Sequence, residues 1–293
     1  MTKFPIGAMA ESFRLPLPKA LERAKILGLD GVQLYAGTLD ALVNKTMRRA
    51  FRKHCDGLKL TVSALVRDLG KRGVRETGAS ARERVEIAAY GIDLAGDMGV
   101  GVVTGHIGVV PNKKKARAAY AAAVRMMREI ARHAAKRKVV YAIETGPETA
   151  VCLAGFLTDV DAKGLGVNLD PANLAMVTGD DAARAVEALG PWIVHTHAKD
   201  GVKYRDCDAE TVYESFATGG FDALVKKTGQ LFAETPLGKG AVDWPAYLAA
   251  LAKVGYRGFL TIEREVGDKP EKDIAAAATF LRKLCRAKTP ARS

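Results

Sequence analysis

Several short apolar runs in this sequence end in an ionisable residue, and together these residues could do chemistry. They are His106, Glu144, Asp170, His195, His197 and Glu263. A charge at the end of an apolar run is costly to remove from water, so something must compensate it. Two glutamates, an aspartate and an imidazole form a mixed oxygen and nitrogen donor set, which suits one divalent ion such as Mn, Co, Mg or Fe. Because sulfur ligands are missing from this set, zinc is disfavoured.

Each of these residues also has an ordinary structural explanation. A single Glu or Asp at a strand end could cap the next helix or pair with a nearby arginine such as Arg264. Four such residues together are harder to explain in this way. His195 lies deeper in its run than His197, so a buried, hydrogen-bonded role competes with substrate contact.

These residues can form one site only if their runs are neighbouring strands. Short β-rich segments alternate with segments of helical periodicity, which is the pattern of βα units around a parallel sheet. The predicted strands are Phe4–Met9, Gly31–Tyr35, Leu58–Leu65, Val100–His106, Val139–Glu144, Leu165–Asp170, Ile193–His197 and Gly258–Glu263. The predicted helices are Pro18–Leu27, Leu39–Cys55, Ser80–Met98, Ala116–Arg137, Val151–Lys163, Ala182–Leu189, Trp244–Val254 and Lys272–Ala287. This count predicts an α/β fold, a TIM (β/α)8 barrel, as a single domain over residues 1–293 with its chemistry at the C-terminal strand ends.

An open doubly wound sheet is the alternative architecture. That fold would place a glycine-rich phosphate loop after an early strand, and no GxGxxG string follows a strand here. The most similar string, Gly238-Lys239-Gly240, leads into a helix start at Asp243 and Trp244 instead. The barrel is therefore favoured.

Composition limits the classes of function. The chain has 48% hydrophobic and 27% charged residues, as in globular proteins, and it has no apolar run approaching the roughly 20 residues of a membrane span. No CxxC spacing occurs among four cysteines, and Met1 to Gly7 lacks a secretory pattern, so we expect a cytoplasmic protein without a membrane partner. The net charge of +12 leaves nucleic acid as a candidate partner. Much of the excess of Lys and Arg, however, lies between Lys113 and Lys138, on what is predicted to be one solvated helix face. No series of aromatic residues is interleaved with these charges to stack on bases.

Longer strings around the ionisable residues resemble the sugar phosphate isomerase/epimerase family of xylose isomerase-like barrels. They are Ile143-Glu144-Thr-Gly-Pro-Glu148, Asn168-Leu-Asp170-Pro-Ala-Asn173, His195-Thr-His197-Ala-Lys199-Asp200, Pro236-Leu-Gly238-Lys-Gly240-Ala-Val-Asp243-Trp244 and Thr261-Ile-Glu263-Arg-Glu265. The resemblance covers nearly the whole chain. It implies one divalent metal ion held by Glu144, Asp170, His197 and Glu263. We further expect Glu144 and Glu263 to be the catalytic residues, with substrate contacts from His106, Glu148, Asn173, His195 and Lys199.

Two features depart from the family pattern. Epimerases often carry a substrate-contacting histidine three residues after the strand-six aspartate, where this sequence has Asn173. The segment 200–236 after strand seven is also long, and its aromatic residues lie among charges, so it can pack against something. We expect this loop to cover the mouth and to contribute to substrate choice or to contacts in a homo-oligomer.

The sequence thus predicts a divalent-metal-dependent isomerase or epimerase that acts on a keto sugar or related polyol through an enediolate. A lyase or dehydratase acting on a ketose or inosose would use the same stabilisation and stays open. An endonuclease IV-type repair enzyme is a weaker alternative, because its three-metal site needs more ligands. Strand three offers no histidine over Thr61–Leu65, and Asn173 replaces a ligand. Nucleic acid is therefore a disfavoured partner.

Overall fold

Eight parallel strands pair side by side and close into a barrel in the computed structural model, which describes residues 4–286. These strands are β1 (Ile6–Met9), β2 (Gly31–Tyr35), β3 (Thr61–Val66), β4 (Val102–Gly105), β5 (Val140–Glu144), β6 (Leu165–Leu169), β7 (Ile193–Ala198) and β10 (Leu260–Ile262). The order around the barrel is β1, β10, β7, β6, β5, β4, β3, β2. The predicted TIM barrel is thereby confirmed. The predicted bounds 1–293 and the predicted helix end at Ala287 extend outside the described residues.

Helices follow the strands, and most of them bury apolar residues against the outside of the barrel. They are α1 (Leu17–Ile26), α2 (Lys45–Gly57), α3 (Gly78–Met98), α4 (Arg117–Lys136), α5 (Ala150–Val160), α6 (Pro171–Asn173), α7 (Ala182–Leu189), α8 (Ala209–Thr218), α9 (Phe221–Thr228), α10 (Trp244–Lys253) and α11 (Pro270–Arg286). Side-chain caps define several helix starts: Asn44, Thr149 and Asp243 each accept a hydrogen bond from a backbone N–H in the first turn. None of the helices among residues 4–286 has the length and apolar character needed to cross a membrane.

The second helix and third strand differ from their predicted bounds. The helix was expected from Leu39, but Leu39 closes a short 3-10 turn, and the cap at Asn44 sets the start of α2 at Lys45. The strand was expected from Leu58, but Leu58 caps α2 and Lys59 has a left-handed φ of 62°. Because a left-handed residue cannot continue an extended run, β3 begins only at Thr61.

The segment 200–236 is not an irregular loop. It contains the strands β8 (Asp200–Lys203) and β9 (Phe232–Thr235), which pair in antiparallel register, and the helices α8 and α9 between them. We call this unit the cap. Its residues line the cavity at the C-terminal mouth of the barrel, so the segment covers the mouth as expected. Its part in substrate choice or subunit contact stays a prediction.

Strand register brings the polar residues of the barrel interior into two adjacent levels. Glu144 of β5 lies opposite Asn168 of β6, and Asn168 lies opposite His195 of β7. His197, two residues farther along β7, lies opposite Thr261 of β10. Side chains two apart on a strand point the same way, so His195 and His197 both face the barrel axis at different depths.

Candidate metal centre and active site

Four side chains from β5, β7 and the ends of β6 and β10 converge at the C-terminal mouth. One ligand atom from each of Glu144, Asp170, His197 and Glu263 lies within 4.8 Å of the others, and all four residues are buried. The structure thus brings together the four residues that the sequence nominated as metal ligands.

His197 lies at the centre of this group. Its Nδ1 atom is 3.2 Å from Glu144 Oε1, 3.3 Å from Asp170 Oδ2 and 3.1 Å from Glu263 Oε2. On the other side of the ring, Nε2 is 3.0 Å from the side-chain carbonyl oxygen of Gln33. An amide oxygen can only accept, so Nε2 carries the proton in that contact. Carboxylate oxygens also only accept, so Nδ1 carries a proton towards them here, and a bound divalent ion would take the place of that proton.

Electrostatics in this group call for a cation. Burial alone would lower the pKa of His197, yet Glu263 and Glu144 hold it well above its ordinary value. Burial raises the pKa of Asp170, while His197 and Lys199 oppose the rise. Burial also favours the neutral form of Glu263, but Lys199 and His197 hold its pKa well below the usual range. Three buried carboxylates around one nitrogen thus compete for positive charge, which a bound cation supplies directly.

This donor set fits a divalent ion. Three carboxylates and one imidazole nitrogen match the hard to intermediate ions predicted from the sequence, and sulfur is not among the four donors. Asp170 shows that a structural role and a ligand role can coexist. Its Oδ1 accepts the N–H of Asn173 and caps α6, while its Oδ2 faces His197. Arg264, the suggested ionic partner for these acids, instead pairs with Glu234 and Asp273.

His195 does not line the cavity, which corrects its expected role in substrate contact. Its Nδ1 lies 2.9 Å from Asn168 Oδ1, and its Nε2 lies 3.0 Å from Thr261 Oγ1, so both ring nitrogens are used inside the barrel. Asn168 Nδ2 is in turn 3.2 Å from His197 Nε2. His195 therefore positions Asn168, which packs against His197. Its burial among these groups lowers its pKa well below the ordinary value, which keeps the ring neutral.

A cavity of about 640 Å³ opens above the four residues, and three of the other expected substrate-binding residues line it. Lys199 is buried there with its Nζ 3.0 Å from Glu263 Oε2, and it also pairs with Glu265. His106 directs a buried Nδ1 without a hydrogen-bond partner towards Glu144 Oε2, 3.6 Å away. Asn173 Nδ2 donates to the carbonyl of Thr145 at 3.2 Å and lies 3.5 Å from Glu144 Oε1.

Glu148 lies outside the set of residues lining the cavity. Its Oε1 accepts the N–H of Val110 at 2.5 Å and ties together the loops after β4 and β5. Burial raises its pKa to about 7, against the lowering effect of that hydrogen bond. The structure therefore supports a loop-tying role for Glu148 and does not bring it to the expected substrate position.

Gln33, Asn168 and Tyr213 belong to the site, although no role was predicted for them from the sequence. Gln33 and Asn168 are single polar residues inside apolar strands, a signal that could have marked them. Tyr213 of α8 packs its ring 6.1 Å from that of His106, and its hydroxyl approaches Gly146 so closely that a Cβ there would collide with it. No sequence pattern places a residue of the cap against β4 and β5.

Comparisons with known proteins agree on the architecture. The chain is 27% identical to a xylose isomerase domain protein from Planctomyces limnophilus, with a TM-score of 0.76 and 97% of each chain covered. It is 17% identical to a D-allulose 3-epimerase from Methylomonas sp., with a TM-score of 0.70 and coverage of 97% and 99%. It is 18% identical to a probable 3-DHS dehydratase from Bacillus anthracis, with a TM-score of 0.73 and coverage of 95% and 99%. None of the curated proteins matches this sequence.

The family model described as the xylose isomerase-like TIM barrel matches residues 21–284, which is most of the sequence. The match includes every strand from β2 to β10 and all four residues of the buried cluster. This chain therefore belongs to the xylose isomerase-like TIM barrel family.

Proposed function

We propose that this protein is a divalent-metal-dependent isomerase or epimerase that acts on a keto sugar or related polyol through an enediolate. The observation that carries the proposal is the convergence of Glu144, Asp170, His197 and Glu263 within 4.8 Å of one another, beside a cavity that Glu144, His197 and Glu263 line. Movement of a proton next to a carbonyl needs a cation for the oxygen and positioned bases for the carbon. The four residues would supply both.

When bound by these residues, a divalent ion would polarise the substrate oxygen and stabilise the enediolate. Glu263 is one of the two bases, and Lys199 and His197 keep its carboxylate ionised against the effect of burial. Glu144 reaches the same centre from β5, with β6 and β7 lying between it and β10 in the barrel. One glutamate removes the proton and the other returns it from the opposite face, which inverts the carbon.

The second candidate is a lyase or dehydratase that eliminates water from a ketose or related ring. The observation in its favour is the Lys199 ammonium beside Glu263, which could hold a proton for a departing hydroxyl next to the base. The similarity to the Bacillus anthracis protein titled a dehydratase is at 18% identity and extends to the fold alone. Product analysis separates the two candidates, because elimination releases water and leaves an unsaturated product.

A repair nuclease with three metal ions is not favoured. Within residues 4–286, the four-residue cluster is the one group of His, Cys, Asp and Glu side chains with metal-binding geometry. Asn173, where a further ligand would be needed, donates its amide towards Glu144 and Thr145 instead.

The test measures by NMR whether carbon-bound hydrogen of the substrate exchanges with deuterated solvent. It uses a panel of ketoses and polyol ketones as substrates. We expect Mn²⁺-loaded protein to introduce deuterium next to the carbonyl. Glu144→Gln and Glu263→Gln should each lower the rate by about 10² or more. Metal content is measured on each sample, because both changes also alter a ligand. Glu187→Gln, a surface change on α7, is the matched control. Turnover with complete retention of the original hydrogen would count against the proposal and favour hydride transfer.

A further inference from the structure

We propose that the cavity takes an uncharged hydroxycarbonyl substrate that carries an apolar substituent, and that it discriminates against phosphorylated sugars. This inference rests on the proposed function and specifies its substrate class. Two independent features of the same cavity carry it, namely the charge of its lining and the chemistry of the wall formed by the cap.

The lining has little positive charge to offer a phosphate. Among the described residues that line the cavity, Lys199 is the one side chain with a permanent positive charge. It is already paired with Glu263 and Glu265. The same lining contains five carboxylates, from Asp68, Glu144, Glu234, Glu263 and Glu265. A divalent ion would offset only part of this negative charge, so a phosphate dianion would enter an unfavourable field.

Arginines near the mouth are also engaged elsewhere. Arg264 pairs with Glu234 at 2.5 Å and with Asp273 at 2.8 Å. Arg75 pairs with Glu210 and Arg72 pairs with Glu214, and both partners lie on α8 of the cap. Phosphate recognition relies on free arginine or lysine groups, or on clustered backbone N–H groups. These arginines instead hold the cap to the barrel.

The cap presents an aromatic row to the same cavity. The rings of Phe216 and Phe221 stack at 4.3 Å, and those of Phe221 and Phe232 stack at 5.7 Å. Met176 and Val177 lie beneath the cap, and Val266 lies on the loop after β10. Phe216 is 49% exposed and Val266 is 47% exposed, so this apolar surface is open to the cavity and its rim.

The position of the aromatic row relative to the metal cluster decides which part of a substrate it contacts. The cavity volume of about 640 Å³ lies within the range of small-molecule sites, and three residues of the metal cluster, Glu144, His197 and Glu263, line it. A substrate whose carbonyl lies at that cluster therefore extends its remaining atoms towards the cap. A bare hydroxylated chain would leave the phenylalanine row in contact with water, whereas a ring or alkyl substituent would cover it.

The experiment compares three probes that differ only at carbon 6: D-fructose, D-fructose 6-phosphate and 6-O-benzyl-D-fructose. Binding to the Mn²⁺-loaded protein is measured by calorimetry, and binding to the EDTA-treated protein by saturation-transfer NMR. We expect the benzyl compound to bind about tenfold more tightly than fructose, and the phosphate about tenfold more weakly. A phosphate that binds as tightly as fructose, or a benzyl compound that binds no more tightly, would overturn the inference.

Two variants link the ranking to the residues named. Phe221→Leu should reduce the benzyl preference several-fold and leave the phosphate penalty in place. Glu265→Gln should relieve the neutralisation of Lys199 and reduce the phosphate penalty at least threefold. The mass of the protein in solution is also measured for a third variant, Phe216→Ser. If this variant has a lower mass than the parent and the same order of affinities for the three probes, the aromatic row serves subunit contact and the substrate role is refuted. Absence of deuterium exchange with all three probes, together with the expected ranking, would refute the proposed function but leave this inference standing.

Discussion

Replacement of Gln33 by leucine tests how the barrel interior prepares His197 for metal binding. Gln33 is fully buried on β2; its Oε1 lies 3.0 Å from His197 Nε2, and its Nε2 donates to Thr104 Oγ1 at 2.8 Å. Leucine has similar size but no acceptor, so the tautomer that directs the Nδ1 lone pair at the metal ion loses its support. Loss of such a partner typically lowers metal affinity by about 10 to 100-fold, which is about 1.4–2.7 kcal/mol.

The assay is calorimetric titration of Mn²⁺ into metal-free protein at pH 7. Circular dichroism confirms that the variant is folded. Ser63→Ala is the matched control, because Ser63 on the neighbouring strand donates to the carbonyl of Val32 and is outside this network. We expect the Mn²⁺ affinity of Ser63→Ala to equal that of the parent protein. If folded Gln33→Leu protein binds Mn²⁺ within twofold of the parent, the idea that Gln33 sets the tautomer of His197 is wrong.

Three further predictions concern stability. Burial alone would raise the pKa of Asp97, but hydrogen bonds from Arg137 and Arg48 lower it, so its stabilising effect is present above the unfolded pKa of about 4 and is lost as the pH falls through the folded value. Asp97→Asn should therefore cost about 1–2 kcal/mol in urea unfolding at pH 7 and progressively less as the pH falls below about 4, whereas a cost that does not change with pH would contradict this. Buried Asp200 accepts hydrogen bonds from the backbone N–H groups of Gly201, Gly238 and Val242 and from the Trp244 indole. Asp200→Ala should therefore lower the free energy of unfolding by about 3–5 kcal/mol, whereas the helix cap variant Asp243→Ala should lower it by about 1 kcal/mol. Equal losses in the two variants would refute this. Mn²⁺ at 100 times its Kd should add about 2.7 kcal/mol to the stability of the parent protein and much less to Asp170→Asn, and equal shifts would contradict binding at this site.

The barrel and its metal cluster were predictable because their signals are local. Each strand is a short apolar run, and each candidate ligand lies at or directly after the end of such a run, where four charges together are hard to explain as caps or ion pairs. Glu144 after Val139–Ile143 is the plainest example. The βα alternation then requires these ends to meet at one mouth.

Features that depend on long-range packing were not predictable in the same way. His195 and His197 have the same spacing as two residues that face one site, and only the contacts of His195 with Asn168 and Thr261 distinguish them. The helices of the cap have eight to ten residues and its strands have four, which is too short for their periodicity to be clear. The position of the cap over the mouth depends on ion pairs between distant parts of the chain, such as that of Arg72 with Glu214.

Anomalous diffraction from a crystal soaked in MnCl₂ tests the central claim most directly, because it locates the ion itself. The account predicts one strong peak per chain, with His197 Nδ1 and carboxylate oxygens of Glu144, Asp170 and Glu263 at about 2.0–2.3 Å from it. The peak should be lost in the Asp170→Asn variant. A peak elsewhere in the barrel, a cluster of three peaks, or a site that ignores His197 would contradict the account.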